Sequence, residues 1–187
     1  MLLLASKSPR RRELLKMLDL PFEIVDGKDV DESYPTSLEA EKVPEFLSRI
    51  KADAYRPYLK DDDILITADT VVILDGEIIG KPKDLEDAKR MLAKLSGKIH
   101  KVVTGVTLTD MKKSVTFSTV TDVTFAPLTS EEISFYVDNF HPLDKAGAYG
   151  IQEWIGAVGV ARIEGSFYNV MGLPVHRLYN ELLLFSR

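Results

Sequence analysis

The opening stretch MLLLASKSPRRRELL constrains this chain more than any other, because it sets a short apolar run, a polar turn and a helix start side by side. Residues 1–5 read as a buried strand, Ser6-Lys7-Ser8 as the turn, Ser8 as the N-cap and Pro9 as the first helical residue. A strand that feeds a helix this way is the entry to an α/β fold. The helix expected over 9–18 places Leu14, Leu15 and Leu18 at helical spacing, yet it begins with Arg10, Arg11 and Arg12. The first turn of a helix exposes N–H groups and a partial positive charge, so each cation there costs about 0.3–1 kcal/mol. Either these side chains fan out into water, or something strongly negative meets this helix end when the protein works.

The following segments extend the same architecture. Residues 22–25 predict a second strand, followed by the acidic loop DGKDVDESYP. A helix over 44–55 starts on Pro44, with Glu45 and Arg49 spaced for a surface ion pair. Residues 64–67 and 71–74 are strand-like, and Asp75-Gly76 is the strongest hairpin turn in the chain. A helix beginning at Asp84 keeps Leu85, Ala88, Met91, Leu92 and Leu95 on one face and stops at Gly97. Runs rich in Val and Thr over 98–110 and 114–125, joined around Met111-Lys112, predict an antiparallel pair. Thr129 with Glu132 forms a capping box for a helix through Val137. The segment DKAGAYGIQEWIGAVG fits neither period. Residues 158–163 and 167–170 predict a last hairpin, and a C-terminal helix follows Gly172-Leu173-Pro174.

Composition then narrows the chemistry. A length of 187 residues at 45% apolar suits one domain, 1–187, that buries its own core. The absence of cysteine excludes disulfides, thiolate metal sites, iron–sulfur clusters and a cysteine nucleophile. His100, His141 and His176 lie far apart and show no metal-ligand spacing. A net charge of −5 argues against a broad basic surface for nucleic acid while leaving room for a local basic pocket. MLLLAS is too short for a signal-peptide core, and no run approaches the roughly 18 apolar residues of a membrane span, so a soluble cytoplasmic protein is expected.

Helix geometry sorts the arginines. Arg11, three and four residues before Leu14 and Leu15, shares the inward face, whereas Arg12, four before Lys16, belongs with the solvent. A buried guanidinium needs an anionic partner; a carboxylate of this chain and a bound phosphate are equal readings. Lys51 sits at the edge of the stripe of Leu47, Ile50 and Ala54, where an isolated lysine reads as a snorkelling stem. Lys81 directly precedes Pro82, in extended backbone suited to holding a charge in place, although loop lysines are common. Asp69 ends ILITADT, at the exit of a buried strand, placed to face a cleft or to cap a turn. Glu32, in DVDES, by itself marks a solvated loop. Two carboxylates with three or more cations on loops and helix ends are what Mg²⁺-assisted chemistry on a polyphosphate requires. No GxxxxGK[ST], GxGxxG or GxSxG motif occurs, and Gly147, Gly150, Gly156 and Gly159 fit none of them.

Five blocks in order, LASKSPRRRELL, ITADTVVILDGEIIGKPKD, KLSGKIHKVVTGV, DKAGAYGIQ and IEGSFYNVMGLP, give the chain a resemblance to the Maf family of nucleoside triphosphate pyrophosphatases over nearly its whole length. The resemblance implies an α/β fold of the Maf/ITPase-like kind, with an elongated mixed β-sheet flanked by helices and two lobes with a deep cleft, often as a homodimer. It implies hydrolysis of a nucleoside triphosphate between the α and β phosphates with a divalent metal, Mg²⁺ or Mn²⁺. Carried onto this sequence, it places Ser8, Arg10 and Arg11 beside the triphosphate, with Lys51 and Lys81 as further cations. It makes Asp69 the proton acceptor for the attacking water and a metal-side acid, and has Glu32 help hold the metal. The AYGIQ block resembles the branch acting on dTTP and UTP, in which Arg11, Thr70 and Gln152 match positions linked to base choice. The glutamine amide offers both a donor and an acceptor to a pyrimidine edge. The chain departs from the pattern at Glu153-Trp154-Ile155, where smaller residues are usual, and at Ser48, where alanine is commoner.

Other readings stay open: a pyrophosphatase directed at purine or modified-base triphosphates, and a nucleotide-binding regulator of cell division. A nucleic-acid module using SKSPRRR is disfavoured by the net acidity and the inward face of Arg11.

Overall fold

The computed structural model describes residues 1–25 and 28–186; Asp26 and Gly27, the first residues of the acidic loop, and Arg187 lie outside the described residues. Strand β1 (Leu2–Ala5) leads into helix α1 (Pro9–Lys16), with Ser8 at the N-cap position and Pro9 in the first turn, as the local chemistry requires. Strand β2 (Phe22–Val25), helix α2 (Val43–Tyr55), strand β3 (Ile64–Leu74), strand β4 (Glu77–Ile79) and helix α3 (Leu85–Leu95) follow. Then come β5 (Ile99–Thr109), β6 (Ser114–Phe125), α4 (Ser130–Phe140), α5 (Trp154–Gly159), β7 (Val160–Glu164), α6 (Phe167–Met171) and α7 (Val175–Phe185).

The strands form one mixed sheet in the order β2-β1-β3-β5-β6-β7, with β4 paired to β3. Strand β1 runs parallel to both neighbours, Leu3 lying opposite Glu23 and Leu65, because the connections through α1 and α2 are crossovers. Strand β4 returns antiparallel through Asp75-Gly76, whose φ values of 52° and 82° are the two positive angles of a type I′ hairpin turn.

The chain forms two compact units. The first holds Met1–Thr70, Thr104–Thr119 and Gly172–Arg187, and the second Val71–Val103 and Val120–Met171. In the first, Leu3, Tyr55, Leu59 and Leu65 pack together, and Leu14 and Leu15 of α1 are buried. In the second, Ala88, Leu92 and Leu95 of α3 and Ile133, Tyr136 and Val137 of α4 join Val72, Leu74, Val102, Val123 and Phe125 of the sheet. Both helices carry the caps their sequences announce: the Asp84 side chain accepts from the Asp87 N–H, and Thr129 and Glu132 form a reciprocal capping box.

Several expectations are corrected. The two strand-like runs around Ala68-Asp69-Thr70 are one continuous strand, so Asp69 lies mid-strand rather than at an exit. Residues 167–170 are helical, since Ser166 caps that turn: its Oγ accepts the Asn169 N–H at 3.2 Å and its carbonyl the Val170 N–H at 3.3 Å. Strand β7 pairs instead with β6, antiparallel. Within the aperiodic glycine-spaced segment, residues 154–159 form α5, which is too short to imprint a helical period. Glu45 bonds Ser118 Oγ at 2.7 Å and Lys42 at 3.5 Å, not Arg49. Arg12 folds back onto the Ser6 carbonyl at 3.3 Å instead of fanning into solvent. Among the described residues no helix is long and apolar enough to cross a membrane.

Candidate functional site

Helix α2 and strand β3 set the core of the site because each presents two successive residues on the face it turns to the other. Residues three apart on a helix lie about 4.5 Å apart along its axis, and residues two apart on a strand about 6.6 Å, with both side chains on one face. Ser48 and Lys51 therefore meet Thr67 and Asp69 in succession. Thr67 Oγ1 donates to the Ser48 carbonyl at 2.7 Å, and Lys51 Nζ donates to Asp69 Oδ1, also at 2.7 Å. Lys51 Nζ also lies 3.1 Å from Glu32 Oε1, with side-chain exposures of 18% for Lys51, 14% for Asp69 and 57% for Glu32. The ammonium is thus no snorkelling tip: it is held between two carboxylates that are 37 residues apart in sequence. Ser48 Oγ donates to the Glu45 carbonyl and shares a 2.9 Å bond with Thr107 Oγ1, fastening α2 to β5.

Gly105 lets α2 come this close. A Cβ on Gly105 would stand 2.3 Å from the Pro44 carbonyl carbon and 2.4 Å from Glu45 N, so the helix start rests on bare strand backbone.

Arg11 is turned inward, as its helical position predicts. Its Nε donates to the Gly172 carbonyl at 2.8 Å, Nη1 to the Ala68 carbonyl at 2.9 Å and Nη2 to Thr70 Oγ1 at 2.9 Å. Thr70 Oγ1 is itself bonded to Thr104 Oγ1 at 2.9 Å. Burial lowers the proton affinity of the guanidinium and Arg10 lowers it further, against the opposing pull of Asp69 and Glu32; it remains a cation. At contact Arg11 thus meets neutral oxygens, with the carboxylates of Asp69 and Glu32 acting on it at a distance. Of the five guanidinium N–H groups, three are used within the described residues. Ser8 and Arg10 stand at the start of the same helix, and the Ser8 N–H donates to Ser6 Oγ at 3.2 Å.

The structure therefore brings Glu32, Lys51 and Asp69 into direct contact, and Arg11 into contact with Thr70, all within the first unit. Lys81 and Gln152 belong to the second unit, and both are exposed. Lys81 precedes the buried Pro82 and has no ion pair among the described residues. Gln152 follows Gly150-Ile151 on a turn closed by the Glu153 N–H donating to the Gly150 carbonyl at 3.0 Å. Sequence reasoning passed over the Gly172 carbonyl, Thr104 and Thr107, because hydroxyls and carbonyls that hold a site residue carry no motif. Around Gln152 it also missed Tyr136 and Lys145; only the oddity of Glu153 hinted at them.

Two carboxylates are present at the site, and among the described residues no group of three or more His, Asp or Glu side chains gathers to hold a metal ion. Hard oxygens in that number fit a small divalent cation that takes the rest of its shell from water and phosphate.

The family model for Maf-like proteins matches residues 1–185. A dTTP/UTP pyrophosphatase of Porphyromonas gingivalis is 56% identical over 187 residues, covering 99% of this chain and 94% of that protein. A dTTP/UTP pyrophosphatase of Bacteroides thetaiotaomicron is 53% identical over 181 residues, 97% of this chain and 94% of the relative. Among solved structures, a HAM1 protein from Coxiella burnetii has a similar fold, with a TM-score of 0.53 at 14% identity over 97% of this chain and 98% of that one. With the family match running almost end to end and relatives above half identity, the chain belongs to the Maf family.

Proposed function

We propose that this protein is a nucleoside triphosphate pyrophosphatase acting on dTTP and UTP, releasing the nucleoside monophosphate and pyrophosphate. The observation that carries the reading is Lys51, held at 2.7 Å from Asp69 and 3.1 Å from Glu32 in the unit that also holds Arg11. The names of the relatives at 53–56% identity support the choice of reaction and of nucleotide.

In this reading a water molecule attacks the α-phosphorus while its proton passes to a carboxylate oxygen of Asp69. The bond to the bridging oxygen breaks, and pyrophosphate leaves with the electron pair. Lys51 fixes Asp69 through Oδ1, so the carboxylate keeps one orientation toward the water. Lys51, Arg11 and Lys81 answer the charge that gathers on the leaving pyrophosphate. Ser8 and Arg10, at the start of α1, receive phosphate oxygens, which accounts for an arginine-rich helix start. Glu32 and Asp69 would hold Mg²⁺ or Mn²⁺, which when bound neutralises phosphate charge. Thr70 and Gln152 contact the base. The proposal extends, on the family resemblance, to a single catalytic domain over 1–187 that forms a homodimer in the cytoplasm, with no stable nucleic-acid or membrane partner.

Asp69→Asn tests the assignment. It preserves size and hydrogen bonding but cannot accept the proton, so turnover of UTP falls at least about a hundredfold while nucleotide binding persists. Unchanged kcat, or release of orthophosphate in place of pyrophosphate, rejects the reading.

A further inference from the structure

Gln152 reaches solvent with no hydrogen-bond partner among the described residues, yet its backbone is tightly held within the second unit. The hold comes from one buried phenol. The Tyr136 hydroxyl accepts the Gly150 N–H at 3.0 Å and donates to Glu153 Oε2, so both ends of the turn that carries Gln152 end on the same oxygen. Glu153 Oε1 lies 3.2 Å from Lys145 Nζ, whose other partner is Asp144 at 2.8 Å. Lys145 is itself buried, with its side chain 10% exposed, and Tyr136 is fully buried against Phe140, their rings stacked at 5.1 Å. Burial and the Glu153 carboxylate both push the phenol's pKa up, so it stays a donor.

Gly150 shows how the side chain is steered. A Cβ there would come within 2.9 Å of Glu153 Cδ, 3.0 Å of Lys145 Cε and 3.1 Å of Gln152 Nε2. The space that a side chain would fill is shared by the glutamine amide, the carboxylate and the lysine stem. The amide of Gln152 therefore borders the same space as the Glu153–Lys145 pair, and its backbone is tethered through Tyr136.

We infer that Tyr136 and Glu153 are positioning residues for Gln152, holding in place the turn from which its amide reaches a pyrimidine edge. The inference rests on the proposed function. Contact between the amide and the base depends on where the backbone sets the side chain, so a turn free to shift loses the contact that separates uracil from cytosine. A tethered turn keeps the amide within reach of the uracil edge, and a site that hydrogen-bonds one base edge rejects the base that leaves those groups unpaired.

The test is the ratio of kcat/KM for UTP to that for CTP, measured for the parent, Gln152→Ala, Tyr136→Phe, Glu153→Ala, Glu153→Gln and the double variant Gln152→Ala/Tyr136→Phe. Far-UV circular dichroism and thermal melts check each fold. Gln152→Ala is expected to lower the ratio about tenfold. Tyr136→Phe, which keeps the buried ring, lowers it at least about fivefold through a higher KM for UTP at nearly constant kcat. The double variant falls no further than Gln152→Ala, because residues acting through one contact are not additive. Glu153→Gln stays within about twofold of the parent, since an amide oxygen still accepts the phenol proton, whereas Glu153→Ala does not. If Glu153→Ala fails to fold, Tyr136→Phe and its double variant decide. A lowered ratio in Gln152→Ala with an unchanged one in Tyr136→Phe, or additive losses in the double variant, overturns the inference and leaves the function standing. An unchanged ratio in Gln152→Ala removes the base contact and the inference with it. Failure of the parent to release pyrophosphate from any pyrimidine triphosphate overturns both.

Discussion

His100 offers the sharpest quantitative prediction about stability. It is 1% exposed in β5, edge-on to Phe125 at 5.0 Å and to Tyr149 at 5.4 Å, with Nε2 2.6 Å from the Tyr149 hydroxyl. Its Nδ1 is buried without a partner among the described residues. Burial, unopposed by any carboxylate among the described residues, lowers its pKa from 6.5 to about 4. Below pH 6.5 the unfolded chain therefore takes up a proton that the folded ring refuses until about pH 4, and folding stability falls across that window. The full linkage cost is about 3 kcal/mol, of which about 2 kcal/mol is already expressed by pH 5. His100→Gln removes the titration while keeping a polar contact for Tyr149. Urea unfolding of parent and variant at pH 7.5 and pH 5 should show the parent losing about 2 kcal/mol more than the variant between the two pH values. Carboxylate titrations are common to both proteins and cancel in the comparison. Parallel pH dependences, or a His100 ring that titrates near 6.5 by NMR, would refute the reasoning.

Other perturbations follow from single contacts. Gly105→Ala forces a methyl into the backbone of α2, destabilising the fold by about 1–3 kcal/mol or more and moving Lys51 off Asp69, so denaturant midpoint and kcat should fall together. Thr129→Ala removes half of the capping box of α4, an exposed loss of about 1 kcal/mol that lowers Tm by about 2–4 °C and leaves turnover alone. Chelation with EDTA should abolish pyrophosphate release and added Mg²⁺ or Mn²⁺ restore it, with Glu32→Gln needing more metal for half-maximal rate; activity indifferent to chelator would remove Glu32 from the proposed role.

Much of the fold was legible because local chemistry and tertiary placement agree. The Pro9 start, the Asp84 cap, the Thr129–Glu132 box and the Asp75-Gly76 turn are each written in a few consecutive residues, and each stands where its residues put it. Asp69 misled because aspartate disfavours strands and reads as a strand end, whereas in the folded chain a lysine on α2 meets its carboxylate and the strand runs on. Residues 167–170 misled for a related reason. Aromatic and β-branched residues suggest a strand, but Asn169 is drawn inward to bond the Val102 carbonyl and Thr121 Oγ1, each at 3.0 Å, and the segment closes into a helix.

By itself the sequence determined the capped helices and the Asp75-Gly76 turn, the inward face of Arg11 and the charge types present, since these depend on periods and caps within about a dozen residues. Only the tertiary structure decided what those charges touch. Lys51 finds Glu32 and Asp69, Arg11 finds the Gly172 carbonyl 161 residues away, and Tyr136 finds both ends of the turn around Gln152. Such contacts depend on how strands and helices stack, and a side chain's own neighbours in sequence carry no record of which distant oxygen it will meet.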